Sequence, residues 1–337
     1  MLTIALLPLA LSAASLQDQP DAEKIFGDWA VACDNNKRCE ATALVPMEWL
    51  GEDDGGPTQM MITHDAGPVA GFTIDVRPAE EKPGAFDVAI DGKQVAAGKT
   101  TAYQAYADEG IALLPALANG KELTLMAGGK RVGRVSLAGL AATLRYMDAV
   151  QGRAGTVTAL VAKGDKPASA VPAAPAMPRI TVLHPPAGEA AAPAQIVINT
   201  MMTAGECESE VELKPEFHPL DGAATLALIP CGSGAYNYNS AVFVLRGGKA
   251  EPAKFDVQPG WMEGSAGPAL ATNASWDEKN GLLHHFDKGR GLGDCGTAMT
   301  WGWDGTRFRL IEAARLEECR GSIEWPTVFV ADPVWKN

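Results

Sequence analysis

The chain has 337 residues, 47% of them hydrophobic and 20% charged, and a formal net charge of −13. A chain of this composition can bury enough apolar surface to fold, which excludes wholesale disorder, and its length suits two domains. An acidic surface repels phosphate backbones and anionic lipid head groups, so the charge argues against binding to nucleic acid or to a membrane surface.

The first predicted element is an export signal at residues 1–14. An apolar run, LTIALLPLAL, occupies positions 2–11 and is followed by Ser-Ala-Ala. This pattern is typical of a signal peptide, although no Lys or Arg precedes the run. The run is shorter than the roughly 20 residues that span a bilayer, so we expect a protein that is not integral to the membrane. The alternative is a buried first strand or helix.

Six cysteines, an even number, predict a set of disulfides in an exported chain. The first bridge is the best supported, because it closes a loop, DNNKR at 34–38, that is rich in turn-forming residues. Sequence spacing favours the following pairs over the other possible connectivities: Cys33–Cys39, Cys207–Cys231 and Cys295–Cys319.

Residues 164–178, GDKPASAVPAAPAMP, are predicted to form a linker. Four prolines among small residues prevent a strand ladder or a helix interior, and such a segment is expected to bury little surface. It divides the chain into a first domain at about 21–163 and a second domain at about 179–337.

The first domain is predicted to be mainly β, with a turn at Asp91-Gly92 that favours a hairpin. Strands are expected on both sides of the first cystine loop and at 60–63, 70–76, 86–90 and 121–126. Helices are predicted at 102–118 and 137–150. In the second helix four apolar residues recur at helical spacing: Leu140, Leu144, Met147 and Val150.

The second domain is predicted to begin with a helix at 193–204 and to continue as an antiparallel β meander. The residues expected to face inward from that helix are Ile196, Val197, Thr200 and Met201. Glycine-containing turns specify the meander, at Gly247-Gly248, Asn280-Gly281 and Asp304-Gly305. The predicted fold class is therefore mainly β with a few short helices, in two disulfide-containing domains.

Two groups of motifs resemble known families. The motif FGDW at 26–29, Cys33, Cys39 and SLAGLAA at 136–142 resemble the invasion-associated locus B family of exported bacterial proteins. That resemblance implies a β-sandwich with a short helix in the first domain. The C-terminal half resembles a bacterial family known only as a domain of unknown function, whose full-length members also carry the first region. Its motifs are CGSGAYN at 231–237, HHF at 284–286, GRGLGDCG at 289–296 and CRG at 319–321.

Both resemblances imply export, disulfides and an envelope or extracellular setting, and neither supplies catalytic residues. The main hypothesis is accordingly a periplasmic or secreted protein with a non-enzymatic binding or envelope role, acting through its second domain on an envelope or extracellular partner. No metal or other cofactor is expected. Structural zinc usually shows close ligand pairs such as C-x-x-C, which do not occur, and in an oxidising compartment Cys295 is expected to be half of a cystine.

The alternative hypothesis is a hydrolase acting on an envelope polymer through His285 with Asp287 or Asp294. Neighbours on a strand point to opposite faces, so His285 and Asp287 lie on the same side. A histidine paired with a carboxylate is the minimum for general-base chemistry. The same pair is also an ordinary hydrogen bond in a β domain, and nothing marks a nucleophile.

Two candidate binding features remain in the second domain. Arg290, Gly291 and Gly293 belong to a glycine-rich loop whose amides could cradle an anion, or which could simply be a wide turn that needs positive φ. Tyr236 and Asn237 begin a run of aromatic and amide side chains that could face a sugar or a peptide, although large aromatic residues in β domains are more often in the core.

Overall fold

The protein is described by a computed structural model at residues 23–51, 57–79, 84–99, 102–188, 190–207, 213–262 and 267–336. Within these residues the chain forms 22 strands, three α-helices and three short 3-10 turns. The predicted mainly β class is confirmed. The predicted export signal at 1–14 lies outside the described residues. None of the helices in the described part of the chain is long and apolar enough to cross a membrane.

The first half of the chain forms two antiparallel sheets and two helices. Its elements are β1 (Lys24–Phe26), β2 (Trp29–Cys33), β3 (Cys39–Ala43), β4 (Gln59–His64), β5 (Phe72–Arg77), β6 (Phe86–Ile90), β7 (Lys93–Gly98), β8 (Tyr103–Tyr106), α1 (Ala107–Asn119), β9 (Glu122–Ala127), β10 (Lys130–Ser136) and α2 (Leu140–Val150). One sheet has the order β1-β2-β3-β4-β5-β8 and the other β10-β9-β6-β7.

The second half is a set of hairpins with one parallel strand pair. Its elements are β11 (Arg179–Leu183), α3 (Gln195–Ala204), β12 (Glu216–Pro219), β13 (Ala224–Ser233), β14 (Tyr238–Arg246), β15 (Lys249–Pro252), β16 (Leu270–Thr272), β17 (Ser275–Asp277), β18 (Leu282–Lys288), β19 (Gly296–Trp303), β20 (Phe308–Leu316), β21 (Thr327–Val330) and β22 (Asp332–Lys336). The sheets run β12-β13-β14-β15, with β16 on β14, and β17-β18-β19-β20-β21. β11 and β22 pair in parallel.

Alternating apolar residues of both sheets build the core of the first half. Trp29 and Ile62 from the six-stranded sheet meet Leu123 and Leu125 from the four-stranded sheet, and Leu144 of α2 closes the same cluster. All five are nearly inaccessible to solvent. The predicted apolar face of α2 is therefore confirmed, and this half has the sandwich-like architecture that its motifs implied.

The three predicted disulfides are present. They join Cys33 to Cys39, Cys207 to Cys231 and Cys295 to Cys319. Cystines of this kind are typical of proteins that fold outside the reducing cytoplasm.

Two helix predictions were wrong in detail. The first helix begins at Ala107, because Tyr103 and Ala105 pair with β5 as strand β8 and are buried there. In α3, Ile196 and Thr200 are exposed rather than inward. The face that packs on the sheet is formed instead by Met201, which is buried, with Val197, Ile198 and Met202 partly buried around it.

The segment 164–178 packs along the first half. Most of its residues are exposed, as expected of a segment that buries little, and Val171, 3% exposed, is the exception. The backbones of Lys166 and Thr156 form an isolated parallel β-bridge, and the side-chain amide of Asn36 donates a hydrogen bond to the carbonyl of Pro175. Proline prevents regular structure here, but it does not prevent an apolar side chain from filling a surface gap.

The two halves share buried apolar contacts. Ala30 and Leu44 of the first half form one cluster with Leu316 and Trp325 of the second half. The name seam is used below for this contact region between residues 23–163 and residues 179–336.

Candidate functional site

His285 is buried and holds a structural hydrogen bond. Its side chain is 3% exposed, and its Nδ1 accepts the backbone N–H of Thr272 at 3.0 Å. A neutral imidazole that accepts at Nδ1 carries its proton on Nε2. That Nε2 has no hydrogen-bond partner among the described residues. Burial lowers the pKa of His285 to about 4, so the ring is neutral at physiological pH.

The two carboxylates proposed as partners of His285 are occupied elsewhere. Asp287 accepts a hydrogen bond from Asn237 Nδ2 at 2.7 Å, and burial raises its pKa. Asp294 accepts from Arg290 Nε at 2.7 Å, and this bond lowers the pKa of Asp294. Within the described part of the chain no hydrogen bond joins His285 to either carboxylate. The hydrogen-bonded histidine–carboxylate pair that general-base chemistry needs is therefore not formed by these three residues.

Burial of His285 makes stability depend on pH. The folded state keeps this ring neutral down to about pH 4, whereas the unfolded chain binds a proton from about pH 6.5. The free energy of unfolding therefore falls as the pH drops from about 6.5 to about 4 and is not lowered further by this group below that range. His64, whose pKa burial lowers to about 3, acts in the same direction.

We expect replacement of His285 by Gln to remove its part of the acid sensitivity. Between pH 7 and pH 4.5 the wild-type protein should lose about 2 kcal/mol more than the His285→Gln variant in urea unfolding. Equal losses in the two proteins would show that His285 titrates normally in the folded state.

The structure brings the two candidate binding features of the second half together. Tyr236 donates from its hydroxyl to the carbonyl of Gly289 at 2.9 Å, and Asn237 donates to the carbonyl of Lys288 at 2.8 Å. A Cβ at Gly291 would lie 3.6 Å from the ring of Tyr236. The glycine-rich loop and the tyrosine–asparagine run are therefore one surface, in which Asn237 fixes the base of the loop.

The glycine-rich loop forms a turn. The N–H of Gly293 donates to the carbonyl of Arg290 at 3.0 Å, and the N–H of Gly289 donates to the carbonyl of Cys295 at 2.8 Å. Gly293 has a φ of +68°, which glycine adopts without strain. Two of the loop's amides are therefore used in internal hydrogen bonds, Arg290 is bound to Asp294, and Leu292, 74% exposed, lies at the loop tip.

Leu292 stands at the rim of a cleft between the two halves, named the seam cleft here. The cleft has a volume of about 160 Å³. The first half contributes mainly apolar walls, with Thr58, Arg134 and Ser136 among them, and the second half contributes the loop tip and the segment after the last cystine. The residues that line it include Leu44, Val45, Pro46, Trp49, Leu50, Pro57, Arg134, Ser136, Arg290, Leu292 and Gly321.

Arg320 joins the two halves beside the seam cleft, next to the lining residues Val45 and Gly321. Its Nε donates to the carbonyl of Val45 at 2.9 Å, its Nη1 donates to the carbonyl of Gly27 at 3.1 Å, and it forms an ion pair with Asp28. Asp28 in turn accepts a hydrogen bond from the hydroxyl of Ser136 at 2.7 Å. Motifs at 26–29, 136–142 and 319–321, far apart in the chain, thus meet at one point.

A second link joins the glycine-rich loop to the segment that contains Arg320. Asp294 accepts the backbone N–H of Gly321 at 2.6 Å while it holds Arg290. The disulfide Cys295–Cys319 ties the two segments together covalently. The loop tip with Leu292 is therefore held at a set position relative to Arg320.

Apolar and aromatic side chains dominate the outer wall. The guanidinium of Arg134 lies 3.8 Å from the ring centre of Trp49, a cation–π geometry. Leu50, which lines the cleft, is 41% exposed, and Met47, three residues before it in the chain, is 66% exposed, so apolar surface at and near the cleft faces water.

The family comparison covers both halves. A family model described as "Protein of unknown function (DUF1176)" matches residues 23–332. The chain belongs to the DUF1176 family. The "Uncharacterized protein YpfG" of Escherichia coli K12 is 29% identical in an alignment 353 positions long, which covers 97% of this chain and 96% of YpfG. The full-length resemblance predicted from the motifs is thereby confirmed, and the DUF1176 match extends across the seam.

One solved structure is similar to part of the chain. It is the crystal structure of invasion associated protein b from Bartonella henselae, which matches 39% of this chain and 99% of its own, with 18% identity and a TM-score of 0.29. The name of that Bartonella protein matches the family that the motifs at 26–29 and 136–142 resemble. A TM-score of 0.29 indicates only a weak structural similarity.

Sequence reasoning missed the seam cleft. The motifs that meet beside the cleft are visible in the sequence, yet their meeting depends on how the two halves pack together. One signal could have pointed to it. The motifs FGDW and CRG occur together in one family, and one carries an acidic residue, Asp28, while the other carries a basic residue, Arg320.

Proposed function

We propose that this DUF1176 protein works in the periplasm or outside the cell as a binding protein, and that its seam cleft receives an apolar side chain of a polypeptide partner. The observation that carries the proposal is the apolar cleft itself, built by both halves and rimmed by exposed Leu50 and Leu292.

The size of the cleft supports a side chain as the occupant. Pockets for whole small-molecule ligands span about 300–1,000 Å³, whereas a cavity of about 150 Å³ holds a benzene-sized group. The seam cleft, at about 160 Å³, belongs to the second class. Interfaces between proteins commonly place one anchoring side chain in such a pocket, next to aromatic and arginine residues. Trp49 and Arg134 stand in that position here.

The hydrolase alternative has less support. His285 is buried and neutral, and its expected carboxylate partners bond to Asn237 and Arg290. Exchange of His285 is therefore expected to change stability in acid and to leave partner binding unchanged.

Photo-cross-linking tests the proposal. A benzophenone side chain placed at Leu292 in the oxidised protein should cross-link a polypeptide of the native envelope or culture fluid. In the same protein Leu50→Asp puts a charge at the rim and should reduce the yield by about tenfold, because a charge must be desolvated when the partner binds. Leu50 is partly exposed, so the change costs the fold little.

Val69 provides the matched control. It is 97% exposed and does not line the cleft. A probe at Val69 should give no product that Leu50→Asp removes. Products at Leu292 that persist in Leu50→Asp would contradict the proposal.

A further inference from the structure

A second concave surface lies in the second half, away from the residues of the seam cleft. Two adjoining cavities of about 300 and 580 Å³ share Glu251, Pro252 and Lys254 in their walls. Together they form one groove, named the basic groove here. The charged side chains that line it are Arg246, Lys249, Glu251, Lys254 and Arg307.

The charge of the basic groove is opposite to that of the whole chain. Four cations and one carboxylate line it within the described residues, in a protein with a net charge of −13. Clefts lined by one sign of charge focus the field and raise the local concentration of oppositely charged ligands.

The two lysines of the groove lack acidic partners. In the described part of the chain neither Lys249 nor Lys254 has a carboxylate within ion-pair distance, whereas most arginines of the protein have one. The carboxylates behind the groove contact other groups: Asp221 accepts from Trp303 Nε1 at 2.9 Å and lies 3.6 Å from Arg246 Nη2, and Asp304 accepts from the N–H of Thr306 at 2.8 Å.

The hairpin at one end of the groove holds two cations face to face. Gly247 and Gly248 both have positive φ, the conformation of a two-residue turn that fixes strand register. This register places Arg246 directly opposite Lys249. Like charges in such a pair repel each other and destabilise the sheet, so a bound anion between them would relieve the repulsion.

Arg246 is held in place for such a ligand. Its Nη2 donates to the carbonyl of Gly305 at 2.6 Å, and its guanidinium lies 5.6 Å from the ring centre of Trp303. The side chain is 47% exposed, so part of the guanidinium faces solvent. The side chain of Arg307 is also half exposed, and its Nε lies 3.8 Å from Oδ2 of Asp304, which is longer than a hydrogen bond. A guanidinium fixed in this way suits oxyanions, which it can bind through two hydrogen bonds.

We infer that the basic groove is a binding site for a multivalent oxyanion, a ligand that carries two or more phosphate or carboxylate groups. Lys249 and Arg246 bind one group at the hairpin, and Lys254 with Arg307 binds the next along the groove. The site is independent of the seam cleft and of the polypeptide proposed there.

Calorimetric titration at low ionic strength tests this site with two probes, pyrophosphate and citrate. The double variant Lys249→Gln/Lys254→Gln should bind the tighter probe about tenfold more weakly than wild type. Lys93→Gln/Lys130→Gln, at exposed positions of the first half, removes the same charge and should change the affinity less than twofold. Added salt should weaken binding in wild type.

The two probes separate the possible sources of the anion. Tighter binding of pyrophosphate assigns the groove to phosphorylated ligands, and tighter binding of citrate assigns it to polycarboxylates. The bound probe should also raise the melting temperature of wild type and not that of the groove variant. Two results would overturn the inference. One is that neither probe, at millimolar concentration, gives binding heat or shifts the melting temperature. The other is that both double variants lose the same affinity for the probe.

Discussion

Replacement of Asp148 by Ala should cost the first half about 3–5 kcal/mol of unfolding free energy, the loss typical when one member of a buried charged network is removed. Asp148 is fully buried at the end of α2. Its carboxylate accepts the backbone N–H groups of Leu160, Val161 and Ala162 at 2.7, 3.0 and 2.9 Å. The variant leaves all three donors without their charged acceptor.

The same change also affects a buried cation. Arg153 is 1% exposed and donates to Gln151 and to the carbonyls of the 65–67 loop. Burial lowers the pKa of Arg153, and the charge of Asp148 opposes that shift. Without Asp148 the guanidinium loses this compensation, which adds to the cost of the variant.

Urea denaturation followed by circular dichroism measures this effect, with two companion variants. Asp148→Asn should lose nearly as much as Asp148→Ala, since its NH₂ group cannot accept hydrogen bonds. Asp165→Ala removes an exposed carboxylate and should change the unfolding free energy by less than about 0.5 kcal/mol. A loss below about 1 kcal/mol in Asp148→Ala would show that the loop at 160–162 does not depend on this side chain.

Replacement of Arg320 by Met should loosen the seam and cost about 3 kcal/mol. The side chain of Arg320 is only 12% exposed and makes its hydrogen bonds to Val45, Gly27 and Asp28 on the other half. Methionine keeps much of the volume but leaves two carbonyls and a carboxylate without their donor. Hydrogen exchange at the Val45 amide, which donates to the Arg320 carbonyl, should also become faster.

Arg77→Met is the matched control at the same seam. Arg77 forms an ion pair with Glu324 of the second half at 2.6 Å, but its side chain is 50% exposed. Exposed ion pairs contribute little, so this variant should lose less than about 1 kcal/mol and leave exchange at Val45 unchanged. Similar losses in the two variants would mean that Arg320 does not fix the seam.

Features set by neighbouring residues could be predicted from the sequence. The tight loop between Cys33 and Cys39 specifies its own disulfide, and the apolar spacing in α2 specifies its buried face. The face of α3 was misplaced by one position, because periodicity in a short apolar segment does not say which residue contacts the sheet. The predicted helix at 102–118 began too early, because Tyr103 and Ala105 pair with strand β5. Pairing with a neighbouring strand outweighs the local preference for a helix.

The candidate sites depend on contacts between distant residues. Arg320 and Asp28 are 292 positions apart, and neither motif says where the other lies. His285 and Asp287 illustrate the opposite error, because two residues on the same side of a strand need not bond to each other. Asn237, 50 positions away from Asp287, is the group that bonds to it. Asp148 gives no sign of its role either, since the loop that covers it comes later in the chain.

Mass-spectrometric mapping of the product formed by the probe at Leu292 tests the central claim most directly. We predict one principal product, in which the probe is joined to a single short segment of one polypeptide, at or next to an apolar residue. The Leu50→Asp protein should not give this product. Attachment scattered over many polypeptides, with the same pattern from the probe at Val69, would contradict the claim that the seam cleft is a binding site.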